Sequence, residues 1–200
     1  MKKLSDILKG KTCAVVSNSG DLISHEYGEF IDSHDVVIRC NWCLIDGYEK
    51  HVGKKTDLKL ITPHLARLIC DYENVSKDPH FNEVFPLWSS LKIEDIIKDE
   101  VVILHPNGNQ FLGGVTSELK NNEIYSLSQF GYNDIHIGTG MYAIMLASKL
   151  FESVDCFCFD FWTKSAEHYF EKPIVDLTSH DHASAYKISR NLPNTTFYPD

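Results

Sequence analysis

Apolar and polar positions alternate in blocks along the chain, and the blocks predict strands and helices in turn. Short apolar runs occupy Thr12–Ser17, Asp35–Asn41, Thr56–Thr62, Val101–Pro106, Ser153–Phe161 and Thr195–Pro199. Several are apolar at consecutive positions, as in strands covered on both faces. Glu83–Trp88 reads as a further strand, confined by Pro86 to an edge or a strand end. Between these runs lie helical patterns. Thr139–Phe151 is apolar nearly all round and should be buried against a sheet, whereas Leu91–Glu100 and Ser117–Gln129 are amphipathic. Asp181–Leu192 forms a last helix. Strands alternating with helices predict a single α/β domain around a mostly parallel, Rossmann-like sheet. Residues 61–90, rich in polar side chains and histidine, read as a lid or acceptor-side insertion.

Ligands of open α/β sheets bind beyond the carboxyl ends of the strands. That rule singles out five segments: "NSGD" after the first run, "CNW" after the second, "PNGN", "DFW" and the loop entering the last helix. Most are rich in polar side chains suited to a nucleotide sugar.

Composition narrows the partners. The chain has 200 residues, 43% of them hydrophobic, and a net charge of −9. That acidity argues against nucleic acid as a partner. Lys2, Lys3, Lys9 and Lys11 form a local basic exception, read as a solvated first helix with scope for weak peripheral contact with a membrane. No apolar run approaches a membrane span, and the first residues lack a signal-peptide pattern, so a cytoplasmic location is expected. Six cysteines include the pairs Cys40/Cys43 and Cys156/Cys158. Both pairs sit in apolar, strand-like runs, so buried reduced thiols are expected and not a zinc site.

Read in order, the segments resemble the sialylmotifs of the eukaryotic-type sialyltransferases, glycosyltransferase family 29. "CAVVSNSGDL", "EYGEFIDSHDVVIRCN" and "VGKKTD" resemble the large motif, and "IGTGMYAIMLASKLFESVDCFCFDFW" the small one. "HYFE" (His168–Glu171) resembles the third motif and "HDHASA" (His180–Ala185) the very short one. Bacterial lipooligosaccharide sialyltransferases look similar as well. The resemblance implies a GT-A-like fold of the sialyltransferase variant. It also implies metal-independent, inverting transfer of sialic acid from CMP-sialic acid to a glycan hydroxyl. CMP-Kdo or another CMP-ulosonic acid is the alternative donor, and a catalytically dead CMP-binding homologue the alternative of another class.

The resemblance also supplies candidate residues. His180 is the candidate general base, with His182 in reserve, and His168 the candidate for stabilising the leaving phosphate. Asn18, Ser19, Gly20, Asn41, Thr139, Gly140, Asp160 and Trp162 are candidates for holding the CMP-sugar. Neither a metal nor another cofactor is expected. Arg39, inside a strand-like run, reads as half of a structural ion pair. The chain departs from the family pattern at Ser17 (usually Gly), Gly138 (commonly Ser) and Ala185 (usually Glu). The family's disulfide joins the two long motifs. Here Cys13 matches one partner but Phe151 stands at the other, which suits a reducing compartment.

Overall fold

A computed structural model describes residues 2–84, 91–104, 122–132, 138–159, 168–170 and 182–199. These residues build a sheet of seven strands: β1 (Thr12–Val16), β2 (Val36–Cys40), β3 (Leu58–Ile61), β4 (Val101–Leu104), β5 (Ile124–Ser126), β6 (Ser153–Phe157) and β7 (Thr195–Tyr198). Their spatial order is 5-4-3-2-1-6-7, and every neighbouring pair is parallel. The order reverses between β1 and β6, where Ala14 lies opposite Asp155 and Val16 opposite Phe157. That reversal is the switch point at which such sheets open a crevice for ligands.

The continuous apolar runs work as both faces of the sheet. Cys13, Val15, Val36, Ile38, Leu58, Leu60, Val101, Ile103, Val154 and Cys156 point into one core. Helix α8 (Thr139–Leu150) fills that core with Tyr142, Ile144 and Leu146, each fully buried. Alternate residues serve the opposite face. Ala14, Val16 and Val37 pack with Leu22, Ile31 and Val52, while Ile61, Val102 and Leu104 pack with Leu65, Leu68 and Ile69. The period of two along each strand thus distributes one apolar run over two layers. Helices too apolar to face water, such as α8, are placed where the sequence pattern predicts.

Shorter helices complete the frame: α1 (Leu4–Ile7), α2 (Gly28–Asp32), α3 (Glu49–Val52), α4 (Pro63–Cys70), α5 (Tyr72–Val75), α6 (Pro79–Val84), α7 (Ile93–Ile96) and α9 (His182–Ser189). Thr62 caps α4 by accepting the Leu65 N–H at 3.3 Å, and Pro63 occupies its first turn. Within residues 61–90, α4 and α5 bury Leu65, Leu68, Ile69 and Val75 in the core under β3 and β4.

Three expectations change. Glu83 and Val84 end helix α6, so no strand begins at Glu83; residues 85–90 lie outside the described part. Of the helix expected over Leu91–Glu100, only Ile93–Ile96 forms. Its continuation is lost because Glu100 turns inward, where its carboxylate meets Lys59 Nζ at 3.2 Å and the Lys98 N–H at 2.6 Å. Ile124–Ser126, expected to be helical, instead forms β5 on the edge beside β4, and a short 3-10 helix follows at Leu127–Phe130. Residues 105–121, with "PNGN", are outside the described part. No helix among the described residues is long and apolar enough to cross a membrane.

Candidate functional site at the sheet switch point

Two glycines and an aspartate fix the frame around the site. A Cβ on Gly28 would stand 2.1 Å from the Glu49 carbonyl oxygen, so α2 and α3 touch backbone to backbone there. Gly53 takes φ +71, and a Cβ on it would meet Asp32 Oδ1 at 2.5 Å. The same Asp32 carboxylate accepts the N–H groups of Lys54 and Lys55 at 2.9 Å. Arg39, 1% exposed, reaches into this loop. Its Nε donates to the Lys55 carbonyl and Thr56 Oγ1, both at 3.1 Å, and its Nη2 to the Val52 carbonyl at 2.6 Å. The expected ion pair is therefore replaced, among the described residues, by a fork into two carbonyls and a hydroxyl. A guanidinium suits this because its donors are planar and divergent.

With β2 so anchored, Asn18 and Asn41 come together. Asn18 follows β1, and its Nδ2 donates to the carbonyls of Cys40 and Trp42 at 3.2 Å each, on either side of Asn41. Those partners accept only, so the amide orientation is settled and Oδ1 is the outer atom. Asn18 Oδ1 is buried and has no partner among the described residues. An orphaned buried acceptor is costly unless a ligand or water supplies a donor. Asn41 adopts φ +56, a left-handed conformation that Asn tolerates better than most residues. Its N–H donates to the Leu60 carbonyl at 2.7 Å and its Oδ1 accepts the Thr62 N–H at 2.9 Å, which leaves Nδ2 as its donor. One asparagine thus offers an acceptor and the other a donor.

Ser17 and Ser19 shape the turn between them. The Ser17 hydroxyl donates to the Cys158 carbonyl at 2.8 Å and accepts the Ser19 N–H at 3.1 Å. It ties the ends of β1 and β6 across the switch point, work that a glycine could not do. Replacing Ser17 with Ala should lower stability by about 1–2 kcal/mol, since a buried carbonyl and an N–H lose their partner. Urea unfolding would show it as a lower midpoint with an unchanged slope. Ser19 caps the 3-10 turn Gly20–Ser24 by accepting the Asp21 N–H at 3.2 Å.

His168 reaches the same turn from far along the chain. It forms an isolated antiparallel bridge with Ser19, and the Tyr169 N–H donates to the Asn18 carbonyl at 3.1 Å. The Tyr169 hydroxyl donates to the Leu44 carbonyl at 2.5 Å, and burial holds that phenol neutral, well above its ordinary pKa. Phe170 meets Trp42 edge to face, with centroids 4.9 Å apart. The "HYF" segment is thereby clamped over Asn18, Ser19 and Trp42.

Thr139 and Gly140 open α8 behind β6. Gly140 is packed so tightly that a Cβ would stand 2.8 Å from the Phe159 ring, and Thr139 is buried. The amino-terminal turn of a twelve-residue helix is so held beside the residues that follow β6. Asp160, Trp162 and His180 lie outside the described residues, and of His182 only its place as the first residue of α9 is described.

The cysteines are buried and reduced at positions 13, 40, 43, 156 and 158. Cys40 and Cys156 end or lie in strands, whereas Cys43 and Cys158 stand just beyond them. Burial pushes the Cys40 thiol up to about 12, with a lesser push from Cys43, so Cys40 is not poised as a nucleophile or ligand at neutral pH. Cys13 and Phe151 belong to one apolar core. The residues that sequence reasoning missed are the Ser17 hydroxyl, the Arg39 fork, Tyr169, and the group formed by Asp21, His25 and Cys158.

Residues 5–97 match the model of glycosyltransferase family 29 (sialyltransferase). The chain is 27% identical to the beta-1,6-galactosyltransferase GALT29A of Arabidopsis thaliana, over 92% of this chain and 51% of that protein. It is 31% identical to sialyltransferase-like protein 5 of Oryza sativa subsp. japonica, over 81% of this chain and 30% of that one. It therefore spans about half or less of these relatives' length. A crystal structure of a mammalian sialyltransferase in complex with Gal-beta-1-3GalNAc-ortho-nitrophenol superposes with a TM-score of 0.60 at 20% identity. That match covers 94% of this chain and 69% of the other, a likeness of fold. The chain's similarities thus converge on glycosyltransferase family 29, through the family model over residues 5–97 and through relatives along most of its length.

Proposed function

We propose that this protein transfers a sialic acid from CMP-sialic acid to a hydroxyl of an acceptor glycan, with inversion and without a metal. The observation that carries the reading is the paired Asn18 and Asn41 at the switch point, with His168 bridged onto Ser19. Asn18 Oδ1 takes a donor of the nucleoside, a ribose hydroxyl or the cytosine amine. Asn41 Nδ2, the Ser19 hydroxyl and the Gly20 N–H donate to the nucleotide's oxygens. The start of α8 at Thr139 and Gly140 suits the sugar carboxylate, because helix amino termini favour anions. Asp160 and Trp162 are assigned to the donor through their place in the motif.

In the transfer, the acceptor oxygen attacks the anomeric carbon as the bond from that carbon to the phosphate oxygen breaks. The hydroxyl proton passes to His180, and CMP leaves with the bonding electron pair. His168 stabilises the phosphate as charge develops there. A monophosphate leaving group carries less charge than a diphosphate, so two histidines and oriented N–H groups suffice. Buried reduced thiols fit a reducing compartment such as the cytoplasm.

The galactosyltransferase among the relatives favours a second reading, transfer of galactose from a diphosphate donor. A donor panel separates the two. CMP-sialic acid, CMP-Kdo and UDP-galactose are each incubated with galactose-terminated oligosaccharides, and nucleotide release is followed. Release of CMP from CMP-sialic acid is expected. Turnover of CMP-Kdo alone would keep the leaving group and change the sugar acid. Turnover of UDP-galactose alone would overturn the proposal. CMP binding with no turnover of any donor would mark a nucleotide-binding module.

A further inference from the structure

Beside Asn18 and Ser19, the switch point gathers a second set of groups. Asp21 and His25 follow β1, Cys158 follows β6, and one ligand atom from each lies within 4.8 Å of the others. The Asp21 carboxylate stands 3.8 Å from His25 Nε2. Bonds of about 2.0–2.3 Å to a tetrahedral zinc place neighbouring ligand atoms roughly 3.3–3.8 Å apart. The nitrogen–oxygen pair, with the shorter bonds, needs to close by about half an ångström to reach the lower end of that spacing, and the triad as a whole by side-chain movements of about an ångström.

Each member is held in place by the fold. The Asp21 N–H is taken by Ser19, and the His25 carbonyl accepts His51 Nδ1 at 2.6 Å. The His25 ring stacks on Tyr27 with centroids 4.9 Å apart. Cys158 adopts φ +55, which a non-glycine residue seldom does. Its N–H donates to the Tyr198 carbonyl at 2.6 Å, and its carbonyl accepts from Ser17. Cys158 is 2% exposed, whereas the His25 and Asp21 side chains retain 28% and 22% of their surface. The thiol forms the floor of the group, and water can reach the other two ligands.

We propose that Asp21, His25 and Cys158 bind one thiophilic divalent cation of the zinc type. The donor set of sulfur, nitrogen and oxygen selects zinc or cobalt over magnesium or calcium. Binding displaces the Cys158 thiol proton to the buffer, with no change of oxidation state, and leaves a fourth position for water. The cation cross-links the turn after β1 to the end of β6. This site stands independently of the assigned donor and takes no part in the transfer described above.

The test uses the full chain without a polyhistidine tag, stripped of metal and given cobalt(II) alone. One equivalent should produce a near-ultraviolet thiolate-to-cobalt charge-transfer band, and zinc should abolish it by displacement. C158S should remove the band. H25A and D21N should weaken binding by at least the roughly 10–100-fold that loss of a ligand's supporting partner costs. C43S, which alters a buried thiol outside the group, should leave the titration unchanged. Circular dichroism checks each fold, and should C158S fail to fold, the decision rests on H25A and D21N, whose side chains reach the surface. Absence of the band in the wild type at one equivalent would overturn the proposal. So would a band that persists in H25A and D21N.

Discussion

Replacing His180 with Ala is expected to lower turnover of CMP-sialic acid by about 10²–10⁴-fold, the usual worth of a positioned general base. CMP affinity should stay nearly unchanged, because the proposed nucleotide contacts lie on Asn18, Asn41 and Ser19. The loss therefore belongs in kcat and not in KM. A neutral imidazole accepts the proton, so wild-type turnover rises with pH through the histidine's titration, and H180A lacks that ascending limb. His182 supplies the contrast. It is the first residue of α9, in a motif that has Ala185 where the family usually carries Glu. H182A should lose far less activity. The opposite ranking would move the base to His182 and leave the rest of the site as described.

The second large effect concerns stability. Arg39→Met should destabilise the protein by about 3 kcal/mol or more, because each lost bond to a charged group is worth roughly 1.5–3 kcal/mol and Met recovers only part through packing. For a chain of this size, that corresponds to a melting temperature lower by about 6–12 °C. Arg39→Lys should cost less but not nothing, since one ammonium cannot reach the acceptors on Val52, Lys55 and Thr56 together. Thermal unfolding of the three proteins at one concentration checks the order. If R39M melts with the wild type, the loop over residues 52–57 is held by Asp32 and Gly53 without the guanidinium.

The central strands were legible because their apolar runs need no partner to be recognised. Val36–Cys40 and Val101–Leu104 are buried at every position, and the sequence pattern says as much. Their all-parallel order follows from the helices between them. Legibility failed where tertiary contacts outweigh local pattern. Ile124–Ser126 has too few residues to declare a period, and its strand exists because β4 offers a free edge. Pro79 starts a helix that runs through Glu83 and Val84, whose apolar neighbours resemble a strand.

The site divides the same way. Asn18, Asn41, Thr139 and Gly140 are candidates from motif and turn chemistry, and the structure sets Asn18 against the backbone on either side of Asn41. Their division of labour was not legible, because it depends on which backbone carbonyls Asn18 happens to grip. Nothing in the sequence announces that Ser17 spans to Cys158, or that Asp21 and His25 stand beside that thiol. Those contacts join the two strands that meet only at the reversal of the sheet order.

Calorimetric titration with CMP, beside UMP, GDP and NAD, tests the central claim most directly. The account predicts binding of CMP, weaker or no binding of the others, and loss of CMP binding in N18A. Binding of UMP, GDP or NAD in preference to CMP would contradict it.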